Sequence, residues 1–159
     1  MAEMRPGCKK TDVGVIPEDW DILPFEKVLE RKNAKNYQIQ TNEYLDSGRF
    51  PVVDQGQSKV VAYSDNANKV YKVDDGGVII FGDHTCITKF IDFDFIIGAD
   101  GTQIIRSIND TSTKFFNYDL ENKPIVSTGY NRHFKELKER LFVCPKPKEQ
   151  KQISAAFRP

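Results

Sequence analysis

No apolar run in the chain approaches 18 residues, so no segment is long enough to span a bilayer as a helix. The first residues, "MAEMRPGCKKTDVG", lack the apolar core of a secretory signal, which argues for a cytoplasmic protein. Cysteine is scarce: Cys8, Cys86 and Cys144 are odd in number and widely spaced, which fits neither a disulfide framework nor a zinc knuckle. Reduced thiols are the simplest reading. A phosphate-binding glycine loop is absent, because "GADG" lacks the lysine and the following Ser/Thr of a P-loop. There is no internal repeat, low-complexity tract or linker, and net charge is absent too, with 23 bases against 23 acids.

What is present suits one globular domain of α+β class. The 159 residues are 39% hydrophobic and 11% aromatic, enough to bury a real core. The charge is unevenly spread. Residues 40–121 carry thirteen acids and seven bases, whereas residues 122–159 carry three acids and nine bases. A basic end on a neutral chain points to a polyanionic partner or to a solvated lysine face.

Along the chain, residues 1–20 read as an approach segment in which Pro17 makes a rigid turn and Trp20 anchors to the core. "PFEKVLERKN" predicts a short helix, with Phe25, Val28 and Leu29 at i, i+3, i+4. From residue 51 to 106 the texture is β. "FPVVDQG", "KVVAYS", "GGVIIFGD", "CITKFIDFDFIIG" and "DGTQIIRS" are strand candidates, and the glycine-bounded "VIIF" predicts a strand buried on both faces. "STKFFNYDLEN" predicts a helix capped by Ser112, with Phe115, Phe116 and Leu120 inward. "FKELKERL" predicts a second helix on Phe134, Leu137 and Leu141, "LFVCP" an extended exit, and "PKEQKQISAAF" the start of a third helix. The expected architecture is a central mixed β-sheet flanked by short helices. Residues 21–146 form the domain, and 147–159 begin a C-terminal helix.

Catalytic chemistry has few candidates. Asp83, His84, Asp92 and Asp94 could ligate a metal in a nuclease, since such sites use carboxylates and histidine. An acid two residues before a lysine recurs at Glu30, Glu121, Glu136 and Glu149, too often to be informative. His84 and Cys86 fall on one face if the run is extended, which permits a nucleophilic pair, although a buried inert cysteine is the commoner fate.

Binding chemistry is richer. Gln55, Gln57 and Lys59 lie on a glycine-hinged turn between strands, and glutamine and lysine reach base edges and phosphates. Asp83, His84, Thr85 and Lys89 sit near a strand end, and Gln103 and Arg106 follow "GADG". In "GYNRH", Gly129 permits a tight turn and Tyr130 can stack or pack. Arg132 can fork onto phosphate or guanine, and His133 could cap or touch a backbone oxygen. A helix start behind that segment would add amide donors suited to phosphate. For each of these residues the structural alternative is an ordinary polar loop or a helix-docking contact.

The order of "TDVGVIPEDW", "FPVVDQGQ", "VIIFGDHT", "FIIGADGTQII", "GYNRHFKELKERLFVCPKP" and "KEQKQIS" resembles the specificity subunit of type I restriction-modification systems. The likeness runs from Thr11 to Ala156 and covers one target recognition domain plus the start of the helix that follows it. It implies sequence-specific binding of double-stranded DNA, each domain reading one half of a split target, with long helices setting the separation. It implies no catalysis in this chain. Methyltransferase subunits would carry S-adenosylmethionine, restriction subunits ATP and Mg²⁺, and a second half-subunit could complete the target. The family has two such domains and a helix of tens of residues, so a short helix of about ten residues is too marginal to form a spacer coil. On this resemblance the DNA-contacting residues are Gln57, Lys59, His84, Lys89, Gln103, Arg106, Tyr130, Arg132 and His133. A metal-dependent nuclease and a folded remnant that binds nothing tightly are the competing readings.

Overall fold

The computed structural model describes residues 7–11, 14–129 and 131–156. Its centre is a four-stranded sheet in the order β4-β11-β8-β9, formed by Leu29–Lys32, Thr102–Ser107, Val78–Gly82 and Thr88–Ile91, antiparallel throughout. A second sheet has the order β5-β10-β6-β7, from Gln38–Ile39, Ile96–Gly98, Phe50–Val53 and Ala62–Ser64. Its β10 runs parallel to both β5 and β6, while β7 is antiparallel to β6. Two small ribbons complete the strands: β1 (Cys8–Thr11) with β2 (Gly14–Pro17), and β3 (Asp21–Pro24) with β12 (Leu141–Cys144). The expected α+β class is therefore met, with the strands divided between sheets.

Strand β8 explains the layering. Every residue of it is buried, and alternation sends Ile79 and Phe81 to one face and Val78 and Ile80 to the other. On the first face they meet Phe25, Phe115, Phe116, Leu120, Leu137 and Phe142 from the helical layer. On the second they meet Val53, Phe95 and Ile97 of the neighbouring sheet region. Ile104 and Ile105 of β11 divide between the same two cores. Each fully buried Ile or Phe contributes about 2 kcal/mol, so the central sheet is anchored from both sides.

The helices follow local rules. Helix α2 (Thr113–Asn122) begins where Ser112 Oγ accepts the Phe115 amide at 3.2 Å, as the sequence predicts. It stops at Lys123, which precedes Pro124 and leaves the helical region at φ −130°. The segment "PFEKVLERKN" departs from expectation. Helix α1 is only Phe25–Val28, and Leu29 turns into β4 at φ −133°. Four ladder positions on β11 outweigh one costly helical turn. Helix α3 (Phe134–Glu139) is also shorter than its pattern, because Leu141 pairs with Pro24 in β12 rather than extending the apolar stripe.

Arg140 ends α3 and ties it to α2. Its guanidinium reaches Asp119 Oδ2 at 2.9 Å and the Asp119 and Lys123 carbonyls at 3.2 Å each, and it lies over the Phe142 ring. Helix α4 (Pro147–Ala156) is held through buried Gln150, which accepts from the Ser112 amide at 2.7 Å and donates to the Pro145 carbonyl at 2.7 Å. Trp20 is half-buried and donates to Glu149 at 2.8 Å, so its anchor is α4 as much as the core. Among the described residues no helix is long and apolar enough to cross a membrane.

Arg140→Ala leaves Asp119 without its cation and two carbonyls without their donor. It is expected to lower the unfolding free energy by about 2–3 kcal/mol in a urea titration. Arg49→Ala, at an exposed position, should change it by less than about 0.5 kcal/mol in the same titration.

Candidate nucleic-acid interface

Four loops meet at one end of the central sheet: residues 54–58 after β6, 83–87 between β8 and β9, 99–101 between β10 and β11, and the described residues 127–129 and 131–133 before α3. Gln55 is the staple among the first three. Its Nε2 donates to the Asp100 carbonyl at 3.0 Å, its Oε1 accepts the His84 amide at 2.9 Å, and its own carbonyl accepts Thr85 Oγ1 at 2.7 Å. The closeness explains Gly101, which has φ +85°. A Cβ there would lie 2.6 Å from Gln55 Nε2 and 2.9 Å from His84 Cδ2.

Asp83 joins the fourth loop to the rest. It is 2% exposed, and its Oδ1 accepts the amides of His133 and Phe134 at 2.9 and 2.8 Å. Its Oδ2 accepts from Arg132 Nη1 at 3.1 Å. A carboxylate 50 residues away thus caps the start of α3, a duty that His133 at the cap position does not perform with its own side chain. The cap amide of His133 and the first helical amide, of Phe134, are taken by Asp83, so these two are not offered to a phosphate.

These contacts revise several sequence expectations. His133 is fully buried. Its Nε2 accepts the Thr128 amide at 3.0 Å, so Nδ1 carries the proton and donates to the Asp83 carbonyl at 2.9 Å. It is a packing and bridging residue, not a DNA contact. Lys89 is 7% exposed, and its ammonium donates to the carbonyls of Asp54 and Ser58 at 2.7 and 2.6 Å. Burial pushes its pKa down, with Asp54 opposing the shift. Lys89 therefore fixes the 54–58 loop from inside and is withdrawn from any phosphate. Arg106 sits at the far end of β11, paired with Asp74 at 3.0 Å and Glu30 at 3.5 Å, in a hollow that also contains Asp75 and Asp110. That acidic surrounding removes it from a polyanion's path. Tyr130 lies outside the described residues.

The remaining candidates are accessible. Gln57 and Lys59 are exposed on the pinned 54–58 turn and its flank, with Lys59 over the Phe93 ring at 5.8 Å. His84 is half-buried, its Nδ1 3.2 Å from the Asn131 carbonyl. The Arg132 side chain is 72% exposed although one nitrogen rests on Asp83. Gln103 and Arg132 line a hollow of about 730 Å³ together with Arg31, Lys32, Lys35 and Gln38. Reading the sequence missed those four, because "ERKNAKNYQ" passes for the end of a helix followed by a polar loop.

The metal and thiol alternatives fare poorly. Asp83 lies two residues beyond the Phe81–Thr88 pair while Asp92 and Asp94 follow Ile91 at the other end of the β8–β9 ladder, so Asp83 and Asp92 are six residue steps apart, or about 20 Å. Asp94 accepts the Val73 amide at 2.9 Å and pairs with Lys72 at 3.5 Å. Among the described residues no group of three or more His, Cys, Asp or Glu could hold a metal. Residues 83–87 form a turn with Cys86 at φ 60°, so the alternation that would place His84 and Cys86 on one face does not apply. The buried Cys86 thiol is pushed up in pKa, by burial first and then by Glu136 and Asp83, opposite to what a nucleophile needs.

No family model matches the chain. Over 111 residues, 69% of its length, the chain is 27% identical to the EcoR124I/EcoR124II type I restriction enzyme specificity subunit of Escherichia coli, covering 27% of that protein. A solved structure from work on complex assembly and conformational transition of a type I restriction-modification system superposes with a TM-score of 0.65 at 18% identity. It covers 89% of this chain and 38% of that one. The crystal structure of the type I S subunit from M. genitalium gives 0.62 at 16% identity, over 86% and 37%. The fold is thus one found in type I restriction-modification proteins. In sequence the chain is similar to part of a type I restriction enzyme specificity subunit. The chain spans between a quarter and two fifths of the length of these relatives.

Asp83→Ala removes three charge-assisted contacts and is expected to cost at least about 2 kcal/mol of stability with or without added Mn²⁺. Asp92→Ala should cost less than about 0.5 kcal/mol. A loss that appears at both positions only when metal is present would restore the metal-site reading.

Proposed function

We propose that the chain recognises double-stranded DNA and reads one half of a bipartite sequence for a type I restriction-modification complex. Recognition is its contribution, and bond-making and bond-breaking belong to partners. Methyltransferase subunits using S-adenosylmethionine would dock it, with restriction subunits using ATP and Mg²⁺ joining through them. A second half-subunit would supply the other half of the target.

The observation that carries this reading is the set of loops at one end of the central sheet. Gln55, Lys89 and Asp83 turn inward and hold the backbones, while Gln57, His84, Gln103 and Arg132 remain accessible. Rigid loops that present amide and guanidinium groups suit readout of base edges, because little ordering entropy is lost on contact. Glutamine presents an acceptor and two donors in one plane and can match adenine, and the Arg132 guanidinium at the rim of the loops can meet phosphate.

Selection from random duplexes, with and without methyltransferase subunits, tests the proposal. A defined half-site should be enriched when the subunits are present. Gln57→Ala and Gln103→Ala should each relax one position of that half-site, by about 1–3 kcal/mol of discrimination for a lost bidentate contact. Equal recovery of every sequence with the partners present would refute sequence recognition.

A further inference from the structure

The two ends of β11 differ sharply in charge. Its far end, beyond Arg106, opens on a hollow with Asp74, Asp75 and Asp110 against Arg106 alone. Its near end, at Gln103, opens on the hollow of about 730 Å³, which Arg31, Lys32, Lys35 and Arg132 line together with Asp100, while Glu30 and Asp83 each pair with one of the four cations. The carboxylate of Asp100 is engaged by Gln38 Nε2 at 2.7 Å. Three of these basic groups come from the stretch 31–35 and the fourth from a loop about a hundred residues further on. Arg31 and Lys32 belong to edge strand β4, Lys35 to the 3-10 turn that follows it, and Arg132 to the loop held by Asp83.

The cations are also fixed in different ways. Arg31 lies over the Phe134 ring, 4.7 Å from its centroid, so its guanidinium plane is set by α3. Arg132 gives one nitrogen to Asp83 and keeps its 72% exposed fork for an outside acceptor. Lys35 is exposed, and Lys32 shares its ammonium with Glu30 at 3.4 Å. A surface that collects positive charge from three elements on one side, and acids on the other, orients a polyanion before any base is read.

We propose that this hollow takes the phosphodiester backbone of the DNA duplex, fixing the register from which the neighbouring loops reach the bases. The proposal rests on the DNA-reading function above and assigns a division of labour within it. Arg31, Lys32, Lys35 and Arg132 supply affinity without regard to sequence, and Gln57 and Gln103 supply discrimination. Phosphate contacts position and base contacts specify, and the two leave different signatures in salt.

The test is the salt dependence of binding by the full chain, with duplex DNA as the probe. Each cation that neutralises a phosphate adds about 0.9 to the magnitude of the slope of log K against log salt. Lys32→Ala/Lys35→Ala should therefore reduce that magnitude by about 2, and weaken binding equally on all sequences. Lys123→Ala, whose side chain lines a different hollow with Asp119 and Arg140, should leave the slope unchanged. Circular dichroism melts of the variants confirm that each is folded, as expected for exposed or half-exposed positions. An unaltered slope in the double variant, or a loss confined to particular sequences, overturns the assignment while DNA binding itself stands. If the unsubstituted chain binds no duplex at low salt, the DNA-reading function fails and this inference fails with it.

Discussion

The arrangement of the four loops at the end of the central sheet depends on one buried carboxylate. Asp83 is the first residue of the β8–β9 turn, where the central sheet ends, and it receives two amides and a guanidinium from a segment 50 residues away. A buried charge without partners would be costly, so the 127–133 loop must close onto it. That closure places His133 under the loop, brings the Asn131 carbonyl to His84, and sets Arg132 at the rim of the basic hollow. The α3 helix, only six residues long, has its start defined by the same group. A nuclease reading of Asp83 and a structural one make opposite demands on its lone pairs, and the structure has assigned them to the backbone and Arg132.

Electrostatics in this protein are organised in space, not along the chain. The acidic middle and basic end of the sequence suggest that a polyanion would meet the C-terminal third. Among the described residues only Arg132 of that third reaches the basic hollow, and its companions Arg31, Lys32 and Lys35 come from the first forty residues, where acids and bases balance. Asp74, Asp75 and Asp110 gather at the other end of β11, and Glu30 bridges Lys32 and Arg106 between the two ends. A neutral chain thus acquires a polar surface whose two ends offer opposite signs to a partner.

Much of the fold was legible from residues. Glycine-bounded "VIIF" reads correctly as a doubly buried strand, and Ser112 correctly starts α2. The failures share one cause. Short helical patterns at "PFEKVLERKN" and "FKELKERL" lose residues to strand pairing, which is non-local and cannot be read from a window of ten. The site was legible only in part for a similar reason. Residue type marked Lys89, Arg106 and His133 as binders, but whether a cation meets water, two carbonyls or a cluster of acids is decided by the neighbours that folding supplies. Gln57, His84, Gln103 and Arg132 remain accessible; nothing in the spacing of the chain separates them from the three that folding buries or pairs with acids.

The central claim is that the end of the sheet organised by Asp83 is the face that meets DNA. Hydrogen exchange of the full chain, with and without duplex, tests it most directly. The account predicts slowed exchange on DNA binding in residues 31–38, 54–58, 83–87, 99–103 and 127–133, with residues 74–77 and 106–111 unchanged. Protection centred on the acidic end of β11, with the Asp83 loops unaffected, would contradict it.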